Sequence, residues 1–370
     1  MVTFSFSKEK VTKVLNVDIK PLVKKEVASL RAYEVEDFTG IRVKLDAMEN
    51  PYTLPEAVRA ELGRALSDIQ VNRYPDPDAR ALKAAIGGYM GVSPDRLLLG
   101  NGSDEIIGMI ISAFGGSPGV IAYPTPTFSM YGIIARSLGQ QILELPLTEG
   151  FELDFDGTLR RLMEKRPKVI FIAYPNNPTG NLFDRDKVRR LIEGSGAIVV
   201  VDEAYHSFSG ETFIDKIDEH PNLVVLRTLS KFGMAGLRVG IMAAGRDVLA
   251  EVNKVRLPYN LNGLSQAAAE IILKHASVID SQVELIVKER ERLYNALSGL
   301  TGVTAYPSKT NFILFRVKGA RVIFEGLKKR GILIRSLDSP GPLADCLRVT
   351  VGTPEENEEF MAALGGLVNV

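Results

Sequence analysis

Between about residues 80 and 250 the chain alternates short apolar runs rich in β-branched side chains with longer stretches in which apolar residues recur at helical spacing. Consecutive apolar residues suit strands buried on both faces, and the amphipathic stretches suit helices laid over them, so the pattern predicts βαβ units and a mostly parallel sheet. The clearest predicted strands are 96–99, 119–123, 168–173, 197–201, 222–226 and 239–243. The pattern then changes. Val283, Ile286, Val287, Leu293 and Leu297 keep helical spacing across 278–300, with Glu284 four positions before Lys288 on the polar side, which predicts one long helix linking two domains. A strand at 311–317, a helix around 320–330, strands at 332–337 and 347–351 and a last helix after Gly352 follow. That helix opens with Thr353 as N-cap, Pro354 at its first position and Glu356 completing a capping box. The fold class read from this is α/β. A large domain at 51–280 carries a mostly parallel sheet flanked by helices, a smaller α+β domain occupies 281–370, and 1–50 form an N-terminal arm and part of the small domain.

Composition narrows the function more than the fold. A chain of 370 residues, 45% hydrophobic and 24% charged with mean hydropathy near zero, has ample core for two globular domains. Its 45 basic and 45 acidic residues cancel without a block of either sign, which argues against nucleic-acid and membrane-surface partners and leaves small molecules. The N-terminus lacks the layout of a signal peptide, no apolar run reaches the ~20 residues of a membrane helix, and a single cysteine, Cys346, excludes an internal disulfide. Those features together predict a cytoplasmic protein. His206, His220 and His275 are scattered without metal-site spacing, so catalysis has to come from other groups.

Those other groups lie where successive predicted strands end. Strand 168–173 leads into Tyr174-Pro-Asn-Asn-Pro-Thr-Gly180, strand 197–201 into Asp202-Glu-Ala-Tyr205, and strand 222–226 into Arg227-Thr-Leu-Ser-Lys231. Parallel strands one βα unit apart deliver Asn177, Asp202 and Lys231 to the same edge of the sheet. An amine for covalent attachment, a carboxylate facing a ring nitrogen and an amide facing a ring oxygen are what pyridoxal 5′-phosphate requires, with Tyr205 as a second donor to that oxygen. Taken singly, a lysine is usually on the surface, an aspartate after a strand is usually a helix cap, and Asn-Asn-Pro-Thr-Gly is an adequate turn; the three together outweigh those readings. Leu97-Leu-Leu-Gly-Asn-Gly-Ser-Asp-Glu105 runs from a strand through glycines into an apolar helix, so the amides near Gly102, Ser103 and Asp104 can meet a phosphate, although Ser103 or Asp104 serves equally as a plain N-cap. Thr228, Ser230 and Arg238 can supply hydroxyl and guanidinium contacts to the same anion, and Phe128 is a candidate to stack on the cofactor ring.

These motifs resemble the fold type I pyridoxal-phosphate aminotransferases, and within them the histidinol-phosphate branch. The resemblance extends to Leu45-Asp-Ala-Met-Glu-Asn-Pro-Tyr52, Asn72-Arg-Tyr-Pro-Asp76 and Cys346-Leu-Arg-Val-Thr-Val-Gly-Thr-Pro-Glu-Glu-Asn357. It implies a homodimer in which Tyr74 reaches the cofactor phosphate of the other subunit, Arg348 and Arg335 holding the substrate's anionic group, and Tyr33 closing over the substrate alongside Asn177. The implied reaction is transamination between L-histidinol phosphate as amino donor and 2-oxoglutarate as 2-oxo acid acceptor. An aromatic amino acid aminotransferase and a decarboxylase of a phosphorylated amino acid are the alternatives; a regulatory sensor lacks a DNA-binding segment. Two positions depart from the family pattern. Lys231 and Arg238 are seven positions apart, one fewer than is common, which requires a rebuilt turn, and Met48 stands where many members carry Asn.

Overall fold

The computed structural model describes residues 18–32 and 36–368. Among them, thirteen strands build three sheets: β1 (Val43–Lys44), β2 (Leu97–Asn101), β3 (Val120–Thr125), β4 (Gln141–Pro146), β5 (Val169–Ala173), β6 (Ile198–Asp202), β7 (Leu223–Thr228), β8 (Val239–Ala244), β9 (Val303–Ala305), β10 (Phe312–Val317), β11 (Ile332–Leu333), β12 (Arg335–Ser336) and β13 (Cys346–Thr350). The large sheet has the order β2-β8-β7-β6-β5-β3-β4, and β8 alone runs against the others. Six of its strands lie within two residues of where the apolar runs place them.

This sheet is buried on both sides, as its uninterrupted apolar strands require. Side chains alternate across it: Ile170, Ile172, Val199, Val201 and Val225 join one apolar cluster, while Val169, Phe171, Val200 and Val224 join another with the helix Ser103–Phe114. The first cluster continues to the C-terminal part of the chain, where β12-β13-β10-β9 form an antiparallel sheet. The long helix expected near 278–300 runs Ala276–Ser298 and buries Val283, Ile286, Leu293 and Leu297. The capping box is present: the Glu356 amide donates to Thr353 Oγ1 at 3.3 Å, and the Thr353 amide to Glu356 Oε2 at 2.8 Å.

Two expectations need correction. The apolar run 332–337 is not one strand; it breaks at Ile334 into β11, which pairs in parallel with β1, and β12, which pairs antiparallel with β13. Strand β4 has no counterpart among the predicted strands, because it sits at the sheet edge with half its side chains exposed and its Gln-Ile-Leu-Glu-Leu-Pro run mixes polar and apolar residues.

Candidate active site

The single reversed strand decides which residues meet. The carboxyl ends of β3, β5, β6 and β7 share one edge of the sheet, and β8, running the other way, brings its amino end to that edge. Strand β2 is antiparallel to β8 with Asn101 opposite Val239, so the Gly102 turn lies beside Arg238. Ser103, Asp104, Phe128, Asn177, Asp202 and Tyr205 line one cavity with Thr228, Ser230, Lys231 and Arg238. The site lies outside the carboxyl ends of the strands, where open α/β sheets bind their ligands.

Lys231 follows β7 on a tight, π-type turn at Ser230–Met234, in which Gly233 takes φ 106°. Its amine donates to the carbonyl of Ala47 at 3.0 Å. Burial, reinforced by the guanidiniums of Arg348 and Arg238 and opposed by Glu49 and Asp104, lowers its pKa to about 8. A neutral amine is the form that attacks a carbonyl or takes a proton, and at this pKa a useful fraction is neutral near pH 7.

Asp202 ends β6 and is 4% exposed. Burial pushes its carboxyl up to about 6, against two hydrogen bonds to the anion: the Tyr131 hydroxyl donates to Oδ2 at 2.6 Å and the Ala204 amide to Oδ1 at 3.1 Å. The next residue, Glu203, points the other way and pairs with Arg227 at 2.9 Å, also accepting from the Phe213 amide at 2.6 Å, which ties the turn after β6 to the end of β7. Asn177 donates to the Tyr205 hydroxyl at 3.2 Å, so the two side chains expected to serve one ring oxygen are neighbours. Burial raises the Tyr205 pKa and keeps that hydroxyl a donor.

The anion cradle is built from backbone. Gly102 has φ 81° and ψ 162°, a conformation essentially confined to glycine, and a Cβ there would stand 2.5 Å from Arg238 Nη2. Gly240 allows the same approach from below, since its Cβ would lie 2.4 Å from the Gly102 carbonyl carbon. The turn from Lys231 is rebuilt by a 3-10 segment at Ala235–Leu237 and by Arg238 itself in the left-handed region, φ 54°. This brings Arg238 within 3.5 Å of Ser230 Oγ, which in turn accepts from Thr228 Oγ1 at 3.0 Å. The Asp104 carboxylate also stands 3.5 Å from Arg238, with its pKa raised by burial, so what this residue can offer an anion is its amide at the helix start.

Arg348, on β13, donates to Asn177 Oδ1 at 2.5 Å and to the Asp46 carbonyl at 3.1 Å. Arg335 on β12 is its register partner. Met48 lines the cavity at φ 54°, with its amide held by Thr350 and its carbonyl by Asn311. Tyr74 is elsewhere: 80% exposed and stacked on Tyr259 with centroids 4.5 Å apart, it is not among the residues lining this cavity. Tyr33 lies outside the described residues. Sequence reasoning missed Tyr131 and the carbonyls of Asp46 and Ala47. Tyr131 stands three positions after Phe128, a spacing that was its only signal, and backbone carbonyls leave none.

Residues 41–364 match the family model described as aminotransferase class I and II. The chain is 48% identical over 347 residues, 92% of its length and 96% of the relative's, to a histidinol-phosphate aminotransferase of Nitrosococcus oceani. Among solved structures it resembles histidinol-phosphate aminotransferase from Sinorhizobium meliloti in complex with pyridoxal-5′-phosphate, with TM-score 0.85 and 22% identity over 94% of this chain and 97% of that one. It also resembles L-threonine-O-3-phosphate decarboxylase from Porphyromonas gingivalis, with TM-score 0.73 and 26% identity over 89% of this chain and 100% of that one.

Proposed function

We propose, from the premise that this chain belongs to the class I and II aminotransferases, that it transfers the amino group of L-histidinol phosphate to 2-oxoglutarate, giving imidazole-acetol phosphate and L-glutamate in histidine biosynthesis. The observation that carries the substrate is the 48% identity, spread over nearly the whole of both chains, with a relative named for that reaction. Localisation in the cytoplasm and assembly as a homodimer belong to the same reading. Support for the dimer comes from Val71, Tyr74 and Leu257, apolar or aromatic side chains more than two-thirds exposed around the Tyr74–Tyr259 stack.

The donor set fits pyridoxal 5′-phosphate: an amine of lowered pKa, a buried carboxylate 25 positions from an amide, and a glycine cradle that a Cβ would fill. Lys231 would hold the aldehyde carbon, Asp202 the ring nitrogen, Asn177 and Tyr205 the ring oxygen, Phe128 the ring face, and the amides of Gly102, Ser103 and Asp104 with Thr228, Ser230 and Arg238 the phosphate. Bound there, the cofactor supplies an electron sink that acidifies the α-carbon of the amino donor. Lys231 Nζ, once free, takes the α-proton and passes it on. Arg348, with Arg335 beside it, presents a planar cation that grips either a phosphate monoester or a carboxylate in forked geometry, which suits two donors that differ in that group.

The reading is tested by mixing purified, cofactor-loaded protein with L-histidinol phosphate and no 2-oxo acid. Loss of the visible cofactor band to a near-ultraviolet band, faster than with phenylalanine, is the expected result. A preference for phenylalanine moves the substrate to the aromatic amino acids, and carbon dioxide released from phosphothreonine moves the reaction to decarboxylation, the activity named for the structural neighbour from Porphyromonas gingivalis.

A further inference from the structure

Tyr131 takes no part in the reaction outlined above, yet it touches both groups that would frame a cofactor ring. It stands in the helix Met130–Ser137 and is completely buried. Its ring is stacked on Phe171 of β5, centroids 4.8 Å apart and planes 11° from parallel, and it meets Phe128 edge-on at 5.5 Å and 85°. A side chain clamped in this way cannot swing its hydroxyl elsewhere, and that hydroxyl donates to Asp202 Oδ2 at 2.6 Å. The length is that of a hydrogen bond to an ionised acceptor.

We propose that Tyr131 is a positioning residue for the cofactor ring: its hydroxyl holds Asp202 ionised and aimed into the cavity, while its ring packs at right angles against Phe128. The proposal rests on the reading of Asp202 as the partner of a protonated ring nitrogen. Without a donor, a carboxyl buried to this degree favours its neutral form, which cannot hold a ring cation. Asp202 has few other aids. The Ala204 amide is its remaining hydrogen-bond donor, Asp104 on the helix Ser103–Phe114 is a like charge that opposes ionisation, Tyr205 is a neutral phenol, and Lys231 and Arg238 line the same cavity as cations. Its strand neighbours in register, Ala173 of β5 and Leu226 of β7, carry no charge. Burial by itself raises the carboxyl, and the hydrogen bond from Tyr131 opposes that rise more strongly than any other contact.

Tyr131→Phe keeps the ring and removes the donor, so the packing on Phe171 and Phe128 survives. The measurement is the affinity of the cofactor-free protein for pyridoxal 5′-phosphate, by fluorescence titration from pH 5.5 to 8.5. In the parent, affinity falls as Asp202 takes up a proton. In the variant that fall is expected to begin at higher pH, leaving affinity near pH 8 changed little and affinity near pH 6 lower by about tenfold, the order of a hydrogen bond to a charged group. A uniform loss across the range, or none, overturns the proposal by reducing Tyr131 to packing. If the parent itself does not bind the cofactor, the functional reading fails instead, which keeps the two failures apart. Should the phenylalanine variant not fold, 3-fluorotyrosine at position 131 provides a stronger donor on the same ring, and the fall must then move to lower pH; a fall that stays where it was overturns the proposal equally.

Discussion

Lys231 shows how far one side chain's surroundings alter its chemistry. An exposed lysine titrates near 10.5, whereas burial beside Arg348 and Arg238 brings this one to about 8. Because the folded-state pKa lies below the unfolded one, the charge destabilises the cofactor-free fold below pH 8, and that penalty disappears as the pH rises towards 10.5. Lys231→Met is therefore expected to raise the Tm of the cofactor-free protein at pH 7, with the difference fading by pH 10. Calorimetry at both pH values checks this, and an unchanging gap would exclude the lysine's charge as its cause. In the loaded enzyme, Lys231→Ala should reduce turnover by at least about 10⁴-fold, since the covalent link and the proton carrier proposed for it are both lost. Residual transamination near the parent rate without an added amine would remove Lys231 from the reaction. The lysine, Asp202 and Asn177 were legible in the sequence because each follows an apolar run by a few residues. Tyr131 was not, because a tyrosine on an apolar helix face looks like core until its hydroxyl partner is known.

At the scale of elements, the phosphate cradle proposed for the turn after β2 depends on two close approaches of backbone. Gly240 of β8, paired with Gly100 of β2, lies under the Gly102 turn, and neither Gly102 nor Gly240 tolerates a Cβ: the first meets the Arg238 guanidinium, the second the backbone of the Gly102 turn. Gly102→Ala therefore has to displace Arg238 and strain a φ of 81°, a penalty on the order of 1–3 kcal/mol. The expected outcome is weaker binding of both pyridoxal 5′-phosphate and inorganic phosphate with pyridoxal affinity nearly unchanged; equal losses for phosphorylated and unphosphorylated ligands would show that the turn does not hold the phosphate. Six of the seven strand positions in the large sheet could be read from the sequence because those strands are largely buried on both faces and therefore mostly apolar, unlike the half-exposed edge strand β4. Their partners could not. The run 332–337 is extended as expected, but whether it pairs with one strand or two depends on where β1 arrives, nearly 290 positions earlier in the chain.

At the scale of the molecule, the segment that bridges the large sheet and the C-terminal sheet across the site is the one around Asp46 and Ala47. Its carbonyls accept from Arg348 of β13 and from Lys231 after β7, and the Thr350 amide donates to the Leu45 carbonyl at 2.8 Å. Tyr74 and its apolar neighbours face outward, so the cofactor phosphate site is proposed to be completed by a second copy. Leu257→Glu, a change at a 68% exposed position, should convert the protein to monomer in sedimentation and lower its affinity for pyridoxal 5′-phosphate at the same time. A monomer with undiminished affinity would show that the second copy contributes nothing to the site.

The sequence by itself determined that the fold is α/β, where most of the strands lie, and that Asn177, Asp202 and Lys231 reach one edge of the sheet, where they line one cavity, because burial and turn chemistry are local and leave a local pattern. Only the tertiary structure decided that β8 runs against its neighbours. That reversal carries Arg238 to the edge where Lys231 and Gly102 stand, whatever the spacing between lysine and arginine. It likewise decided that Tyr131 holds Asp202 and that main-chain carbonyls hold Lys231 and Arg348. Hydrogen bonds between residues 71 to 302 positions apart depend on how strands are ordered and helices laid over them, which no stretch of sequence encodes alone.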